Sequence, residues 1–301
     1  MTPGTVSSAA QGVKEEAWRR RWRTSCARRA GVRTGVVTWA TLKLELLPTK
    51  QKLIHLQSEN LAELMELQYQ LLKYRLCDEL FIVDRTNLAC LLEKNPETIV
   101  SLAESYAQWN LIIVLSGHGK LQDEKISYLE ADIHDILEEL DLLKLTQVTA
   151  LNDHEILDAL RSSAADPWRL RYKGACHEIF FITNYERIPE FITEVKSKWS
   201  GEIGVYIQPL NQGTSYHLEF DLYYDPASSE DLSAITQQFL DISAELIAKG
   251  AFFNRPYRAW KEQVYNHNDS QTQTALKKVK KIFDPNNVLN PGVLCFDDSY
   301  R

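Results

Sequence analysis

An imidazole and two carboxylates recur at every second position of YHLEFDLYYD (216–225). His217, Glu219 and Asp221 follow this period, and apolar residues fill the positions between them. A period of two is typical of a β-strand, because successive side chains of a strand point to opposite faces. Two interpretations stay open: a half-exposed strand with its polar side in water, or a site wall in which His217 serves as acid, base or ligand.

A second stretch, FFNRPYRAWKEQVY (252–265), alternates arginine with aromatic residues, and its proline predicts an irregular start. Paired guanidinium donors match the oxygens of a carboxylate or phenolate, so Arg255 and Arg258 are candidate anion-binding residues. Tyr257 is placed to orient or protonate the same group. The alternative is that the aromatic residues only pack, while both arginines reach solvent or acidic helices.

The elements that must position these residues alternate between helix and strand. Apolar spacing and capping residues predict the following order: helix 60–76, strand 79–86, helix 96–109, strand 110–117, helix 130–145, strand 177–183, helix 187–199, strands 203–210 and 215–226, and helix 229–250. This order predicts an α+β fold, a ferredoxin-like split antiparallel sheet with helices on one face.

The chain begins with a segment of different character. Residues 14–33 hold eight basic and two acidic side chains, whereas the whole chain has a net charge of −7. We predict a disordered basic leader over 1–33. An abrupt change to alternating apolar residues then predicts a strand over 34–48, which needs neighbouring strands to take its hydrogen bonds.

Composition excludes several functional classes. The 301 residues, 44% of them hydrophobic, suffice for one large or two ordinary domains. The sequence contains neither an apolar run of about eighteen residues nor a secretory signal, which predicts a cytoplasmic protein without a membrane span. Its basic residues cluster in the leader instead of on a folded surface, so no nucleic-acid partner is expected.

The segment LKKVKKIFDPNNVLNPGVLCF (276–296) resembles the C-terminal signature of the FAD-linked oxidases, the superfamily of vanillyl-alcohol oxidase, 4-cresol dehydrogenase and glycolate oxidase. The shared pattern is a lysine-bearing helix, Asp-Pro-Asn, an aliphatic pair and Asn-Pro-Gly. GVVTWATLKLELLP (35–48) is similar to the Gly-Ile-Val-Thr strand that ends the FAD-binding domain of this family. The resemblance implies that 49–250 form a substrate (cap) domain and that 251–301 return to the flavin domain.

The resemblance also implies roles for particular residues. The residues expected to contact FAD are Gly35, Val36, Val37, Thr38 and Asn290.

On the substrate side, Tyr257 and Arg258 occupy a place similar to the Tyr-Arg pair that binds phenolate in the vanillyl-alcohol branch. Arg258 or Arg255 would hold a substrate anion, Glu219 would help to bind the substrate, and Tyr257 or His217 would take the hydroxyl proton.

His217 looks like the second metal-binding histidine of the hydroxy-acid branch, but Gln208 stands where the first would fall. We therefore predict no metal. The five cysteines form no C-x-x-C pair and are odd in number, which argues against a zinc ribbon and a disulfide framework.

The family's FAD-binding domain has no counterpart in the sequence before residue 34, so the chain looks truncated. We expect the substrate half of a FAD-dependent oxidoreductase acting on a small alcohol, phenol or 2-hydroxy acid, inactive alone. A FAD-binding subunit or an electron-acceptor protein is the expected partner. The alternative is a noncatalytic binding or assembly module derived from such an enzyme.

Overall fold

The structure is a computed structural model that describes residues 47–147, 153–162, 167–256, 259–267, 269–289, 291 and 296. The chain divides into two compact units. The larger unit is Pro48–Phe252, and the smaller unit contains the described residues from Phe253 onward. None of the helices among the described residues is long and apolar enough to cross a membrane.

The first half of the larger unit follows the order βαββαβ, with two short helices inserted after its second strand. The elements are β1 (Lys50–Ser58), α1 (Leu61–Tyr74), β2 (Glu79–Asp84), α2 (Arg85–Leu92), α3 (Pro96–Glu104), β3 (Trp109–Gly117), α4 (Gln122–Glu139) and β4 (Thr146–Gln147).

The second half repeats the pattern after a connection that contains one helix and one 3₁₀ turn. The elements are α5 (Asp153–Ser162), the 3₁₀ turn Trp168–Leu170, β5 (Ala175–Thr183), α6 (Ile188–Lys198), β6 (Ile203–Leu210), β7 (Ser215–Tyr224) and α7 (Ser229–Ala248). Beyond α7, Phe252 forms an isolated antiparallel bridge with Ile182 of β5.

The seven strands form one sheet in the order β4-β1-β3-β2-β6-β7-β5. Every strand pair is antiparallel. The first half alone has the ferredoxin-like order, and the second half has the same order in reverse once Phe252 is counted beside β5. The two halves meet where Ile82 and Val83 of β2 pair with Ile207 and Tyr206 of β6. The predicted α+β class with a split antiparallel sheet is confirmed.

The four long helices α1, α4, α6 and α7 cover one face of the sheet. On this face Phe181 of β5 meets Phe191 of α6 edge-on, with ring centroids 5.0 Å apart. Four of the five helices that the sequence predicted on one face lie here, whereas the predicted helix 96–109, which is α3, lies on the opposite face. The opposite face packs against the shorter helices α2, α3 and α5, and its core includes Phe81, Val83 and Ile112. Helices therefore occupy both faces, because the insertions after β2 and before β5 also bury apolar surface.

The larger unit confirms the predicted helices and strands from α1 to α7, with ends shifted by a few residues except at α4, which starts earlier and ends at Glu139. The sequence missed β1, α2, β4 and α5. The middle of β1 is buried at four consecutive residues, 53–56, so it shows no alternation of polar and apolar side chains. The predicted strand 34–48 lies outside the described residues except for its last two.

Asp84 fixes the start of α2 against β6. Its side chain accepts hydrogen bonds from the backbone N–H of Asn87 at 3.1 Å and of Val205 at 2.9 Å. Burial raises the pKa of Asp84 to about 6, although the backbone N–H donors oppose this shift. One carboxyl group therefore caps a helix and joins that helix to the neighbouring strand.

Gly204 of β6 lies directly beneath the side chain of Asn87 in α2. A Cβ at position 204 would stand 1.7 Å from Oδ1 of Asn87. Only glycine lets the amide lie against the sheet at this point.

Gly204→Ala should therefore destabilise the protein by about 3 kcal/mol, because it displaces a buried hydrogen-bonding amide in a packed interior. Urea unfolding followed by tryptophan fluorescence would measure the change in midpoint. Gly119→Ala is the matched control: Gly119 has φ +67° and no heavy atom within 4 Å of an added Cβ, so it should cost only about 1 kcal/mol of backbone strain. Equal costs for the two substitutions would contradict this account.

Candidate active site

The polar face of β7 carries His217, Glu219, Asp221 and Tyr223, as its alternation predicts. Nε2 of His217 lies 2.9 Å from Oε2 of Glu219. Both side chains are largely buried, with 14% and 10% of their surface exposed. The structure therefore brings together two predicted site residues, the imidazole and the carboxylate.

Arg169, in the 3₁₀ turn before β5, supplies the positive charge for this row. Its guanidinium lies over the ring of Trp168, 4.1 Å from the centroid. It pairs with Glu219, with Asp221 at 3.0 Å from Nε, and with Glu178 at 3.6 Å. A single guanidinium thus bridges three carboxylates, and its planar donor fork suits this geometry.

Asp221 is fully buried and is also held from the side of α2. The amide Nδ2 of Asn87 donates to Oδ2 of Asp221 at 2.6 Å, and the hydroxyl of Tyr223 donates to Oδ1 of Asn87 at 2.7 Å. The thiol of Cys176 lies 3.7 Å from Oδ1 of Asp221. Each oxygen of this carboxyl group therefore has a hydrogen-bonding partner, as a buried polar group requires.

The two carboxyl groups that face Arg169 differ in their affinity for protons. Burial raises the pKa of Asp221 to about 8; Arg169 opposes the rise, while Glu219 and Glu178 add to it. Burial also acts on Glu219, but Arg169 and the hydrogen bond from His217 outweigh it and lower its pKa to about 2. Glu219 therefore binds a proton more weakly, and Asp221 more strongly, than an exposed carboxyl group.

Burial likewise raises the pKa of two neighbours, the Cys176 thiol and the Tyr223 phenol, and nearby carboxylates add to both shifts. Both groups are neutral at physiological pH. Neither is a candidate nucleophile, since the thiolate is the reactive form of cysteine.

The carboxylates of Glu178, Glu219 and Asp221 lie close enough together to offer oxygen ligands to a cation. In this structure the guanidinium of Arg169 is the cation that they surround. The predicted absence of a catalytic metal stays a prediction.

His217 also belongs to a half-buried surface on the same face of the sheet. Its ring centroid lies 5.9 Å from that of Phe180 and 6.2 Å from that of Tyr206. Ile182 of β5 and Gln208 of β6 stand opposite His217 in the register. We call these five residues the His217 wall; it combines apolar and aromatic surface with one imidazole.

In the smaller unit, the Asp-Pro-Asn motif forms a turn after α9 (Ser270–Phe283). Nζ of Lys280 lies 2.6 Å from Oδ2 of Asp284 and also contacts the carbonyl oxygen of Leu289. The carboxylate of Asp284 accepts the backbone N–H groups of Val288 and Leu289 at 2.9 and 2.7 Å. The hydrogen bond from Lys280 lowers the pKa of Asp284. One buried ion pair therefore fixes the path of the chain toward Asn-Pro-Gly.

The structure does not test the roles of the remaining predicted site residues. Arg255 is exposed and belongs to the smaller unit, which also contains α8 (Ala259–Asn266). The others lie outside the described residues: Gly35, Val36, Val37, Thr38, Tyr257, Arg258 and Asn290. Their roles stay predictions.

Sequence reasoning missed Arg169 and Asn87 as members of the cluster. Asn87 had a detectable signal, since Asp84 precedes an apolar run in the manner of a helix N-cap. Arg169 lies in a short irregular connection, DPWRL, without periodicity. Only the tertiary fold brings it to β7.

Comparison with known proteins places these observations in a family context. Residues 258–294 match the family described as FAD linked oxidases, C-terminal domain. The structure of 4-ethylphenol oxidase from Gulosibacter chungangensis, determined as an isoeugenol complex, superposes with a TM-score of 0.61 at 17% identity, covering 86% of this chain and 56% of that one. An alkyldihydroxyacetonephosphate synthase superposes with a TM-score of 0.50 at 11% identity, covering 81% of this chain and 44% of that one.

The chain thus spans about half the length of these two solved proteins. No curated protein matches it in sequence. At these identities the superpositions show the fold alone. The sequence resemblance to the C-terminal domain of the FAD-linked oxidases is confirmed by the match at 258–294 and by the fold.

The raised pKa of Asp221 predicts a specific pH dependence of stability. Its pKa in the folded protein, about 8, lies above its ordinary value of 3.8. The resulting stabilisation is complete below the unfolded-state pKa and is lost as the pH rises toward about 8. Asp221→Asn removes this titration. As the pH rises from about 5 to about 8, the wild type should therefore lose free energy of unfolding relative to Asp221→Asn. The loss should be at most about 1.4 kcal/mol per pH unit.

Urea unfolding at several pH values in this range measures the shift. Glu178→Gln is the matched control, because it removes a carboxylate from the same cluster at a side chain that is 42% exposed. In this control, the free energy of unfolding should change with pH nearly as much as in the wild type. If the free energies of unfolding of the wild type and Asp221→Asn change in parallel with pH, Asp221 does not bind a proton in the folded state over this range.

Proposed function

We propose that this chain forms the substrate-binding half of a FAD-dependent oxidoreductase that oxidises a small alcohol, a phenol or a 2-hydroxy acid. The observation that carries the proposal is the match of residues 258–294 to the C-terminal domain of the FAD-linked oxidases. The cap-type fold of the larger unit supports it. FAD, when bound, would supply the acceptor for a hydride.

The described residues furnish candidates for the substrate side of such a site. The His217 wall offers apolar contact area with a small number of polar groups, which is typical of a small-molecule pocket. The residues expected to contact flavin, 35–38 and 290, lie outside the described residues.

The proposed reaction separates two hydrogens of the substrate. The C–H bonding pair leaves with its hydrogen as a hydride, while the hydroxyl proton leaves to a base and the carbon–oxygen bond becomes double. His217 is the proposed base, since a neutral imidazole accepts a proton near pH 7. Glu219, ionised and 2.9 Å away, would stabilise the imidazolium that forms.

Recognition of an anionic substrate needs a cation other than Arg169. That guanidinium is already shared among Glu178, Glu219 and Asp221. Even with Asp221 protonated, the group beneath the His217 wall carries a net negative charge. Arg258, with Tyr257, is the proposed anion-binding pair, and Arg255 is the second candidate. A FAD-binding subunit is the proposed partner.

Arg258→Met should weaken the binding of isoeugenol by about tenfold or more, because a charge-assisted hydrogen bond to the phenolate oxygen is worth about 1.5–3 kcal/mol. The methyl ether of isoeugenol cannot form a phenolate, so its affinity should not change. Isothermal titration calorimetry of the full chain, with FAD present, compares the two ligands.

Arg255→Met is the matched control, since it removes the same charge three residues earlier. If Arg255→Met weakens the binding of isoeugenol but not of its methyl ether, Arg255 is the residue that binds the anion. An equal loss of affinity for both ligands in both variants, or no binding of either ligand by the wild type, would overturn the proposal and favour a noncatalytic module.

A further inference from the structure

We propose that Arg169 is a positioning residue for His217: it holds Glu219 so that Nε2 of His217 carries the proton and Nδ1 is the atom that accepts the substrate's hydroxyl proton. This inference rests on the proposed function for its catalytic meaning. The arrangement of the side chains can be tested without it.

The two oxygens of Glu219 have different partners. Oε1 binds the guanidinium of Arg169, and Oε2 faces Nε2 of His217 at 2.9 Å. This division fixes the rotation of the carboxylate about its terminal bond. A carboxylate held beside a guanidinium stays ionised and can only accept hydrogen bonds. Nε2 must therefore be the donor.

The other ring nitrogen of His217 is left to act as the base. When Nε2 carries the hydrogen, the lone pair of the neutral imidazole lies on Nδ1. Nδ1 of His217 makes no hydrogen bond to any residue in the described part of the chain. The flanking rings of Phe180 and Tyr206 restrict the imidazole plane. The basic nitrogen is therefore the one that Glu219 does not occupy.

Arg169 is itself held by buried groups. Its guanidinium lies on the ring of Trp168, a side chain only 7% exposed. Its Nε donates to Asp221, and Asp221 is held in turn by the amide of Asn87. These contacts run from the core to the imidazole, so the orientation of Glu219 is set by packed structure and not by a mobile surface pair.

The charges around Arg169 favour Glu219 as its strongest partner. Burial raises the pKa of Asp221 to about 8 and so opposes its ionisation, and Glu178 is half-exposed at 3.6 Å. The guanidinium of Arg169 therefore interacts most strongly with Glu219, the carboxylate that contacts His217. A lysine at position 169 would keep this charge but would lose the planar fork that reaches Asp221 and Glu219 together.

Nuclear magnetic resonance of the full chain labelled with ¹⁵N-histidine reports the tautomer directly, without flavin or substrate. The chain has seven histidines, and the signal that disappears in His217→Gln assigns His217. In its neutral form, wild-type His217 should show a protonated Nε2 and a bare Nδ1. Arg169→Met should change this to a mixture of both tautomers, and Arg169→Lys should lie between the two.

Arg171→Met is the matched control, because Nη1 of Arg171 donates to the backbone carbonyl oxygens of Cys90 and Leu91 at 3.1 Å, next to the cluster in sequence. It should leave the His217 tautomer unchanged. If Arg169→Met does not fold, Glu219→Gln serves instead, since an amide both donates and accepts and so permits either tautomer. It too should give a mixture.

A protonated Nδ1 in the wild type would overturn the proposal, and so would an unchanged tautomer in both Arg169→Met and Glu219→Gln. The result is separable from the proposed function. If the tautomers behave as expected but isoeugenol does not bind, the positioning of His217 stands and the oxidoreductase proposal fails.

Discussion

One guanidinium surrounded by carboxylates is the interaction on which the larger unit's polar interior depends. Strand β7 turns Glu219 and Asp221 toward a buried face, and β5 adds Glu178 beside them. Isolated carboxylates in such a place would be strongly unfavourable. Arg169 offsets this cost for Glu219, and hydrogen bonds from Arg169 and Asn87 offset it for Asp221, whose raised pKa also favours its neutral form. The same solution leaves one ionised carboxylate next to His217.

The repeated fold explains why this cluster lies where it does. Two ferredoxin-like halves join through β2 and β6, and the long helices of both halves pack on one face of the common sheet. The other face is covered in part by insertions: α2 brings Asn87, and the 3₁₀ turn before β5 brings Arg169. The His217 wall is the half-buried part of this face. A buried network thus leads to a surface that can meet a ligand.

The sequence predicted those features that local patterns encode. The alternation in 216–225 correctly placed His217, Glu219 and Asp221 on one face of a strand, because side-chain direction follows from period two alone. It did not predict which carboxyl group is ionised, since that depends on Arg169, 50 residues from Glu219 in sequence. The strand β1 was not predicted, because burial on both faces removes the alternation of polar and apolar side chains. The Asp-Pro-Asn motif suggested a turn, but only the fold revealed the buried Lys280 that organises it.

In the proposed function, the His217 wall is the surface that meets the substrate. The most direct test is to titrate isoeugenol into the full chain, with FAD present, and to follow the aromatic and imidazole resonances by nuclear magnetic resonance. The account predicts saturable shifts at His217, Phe180 and Tyr206, with His267, an exposed histidine of the smaller unit, unchanged. Saturable binding that leaves all three wall residues unperturbed would contradict it.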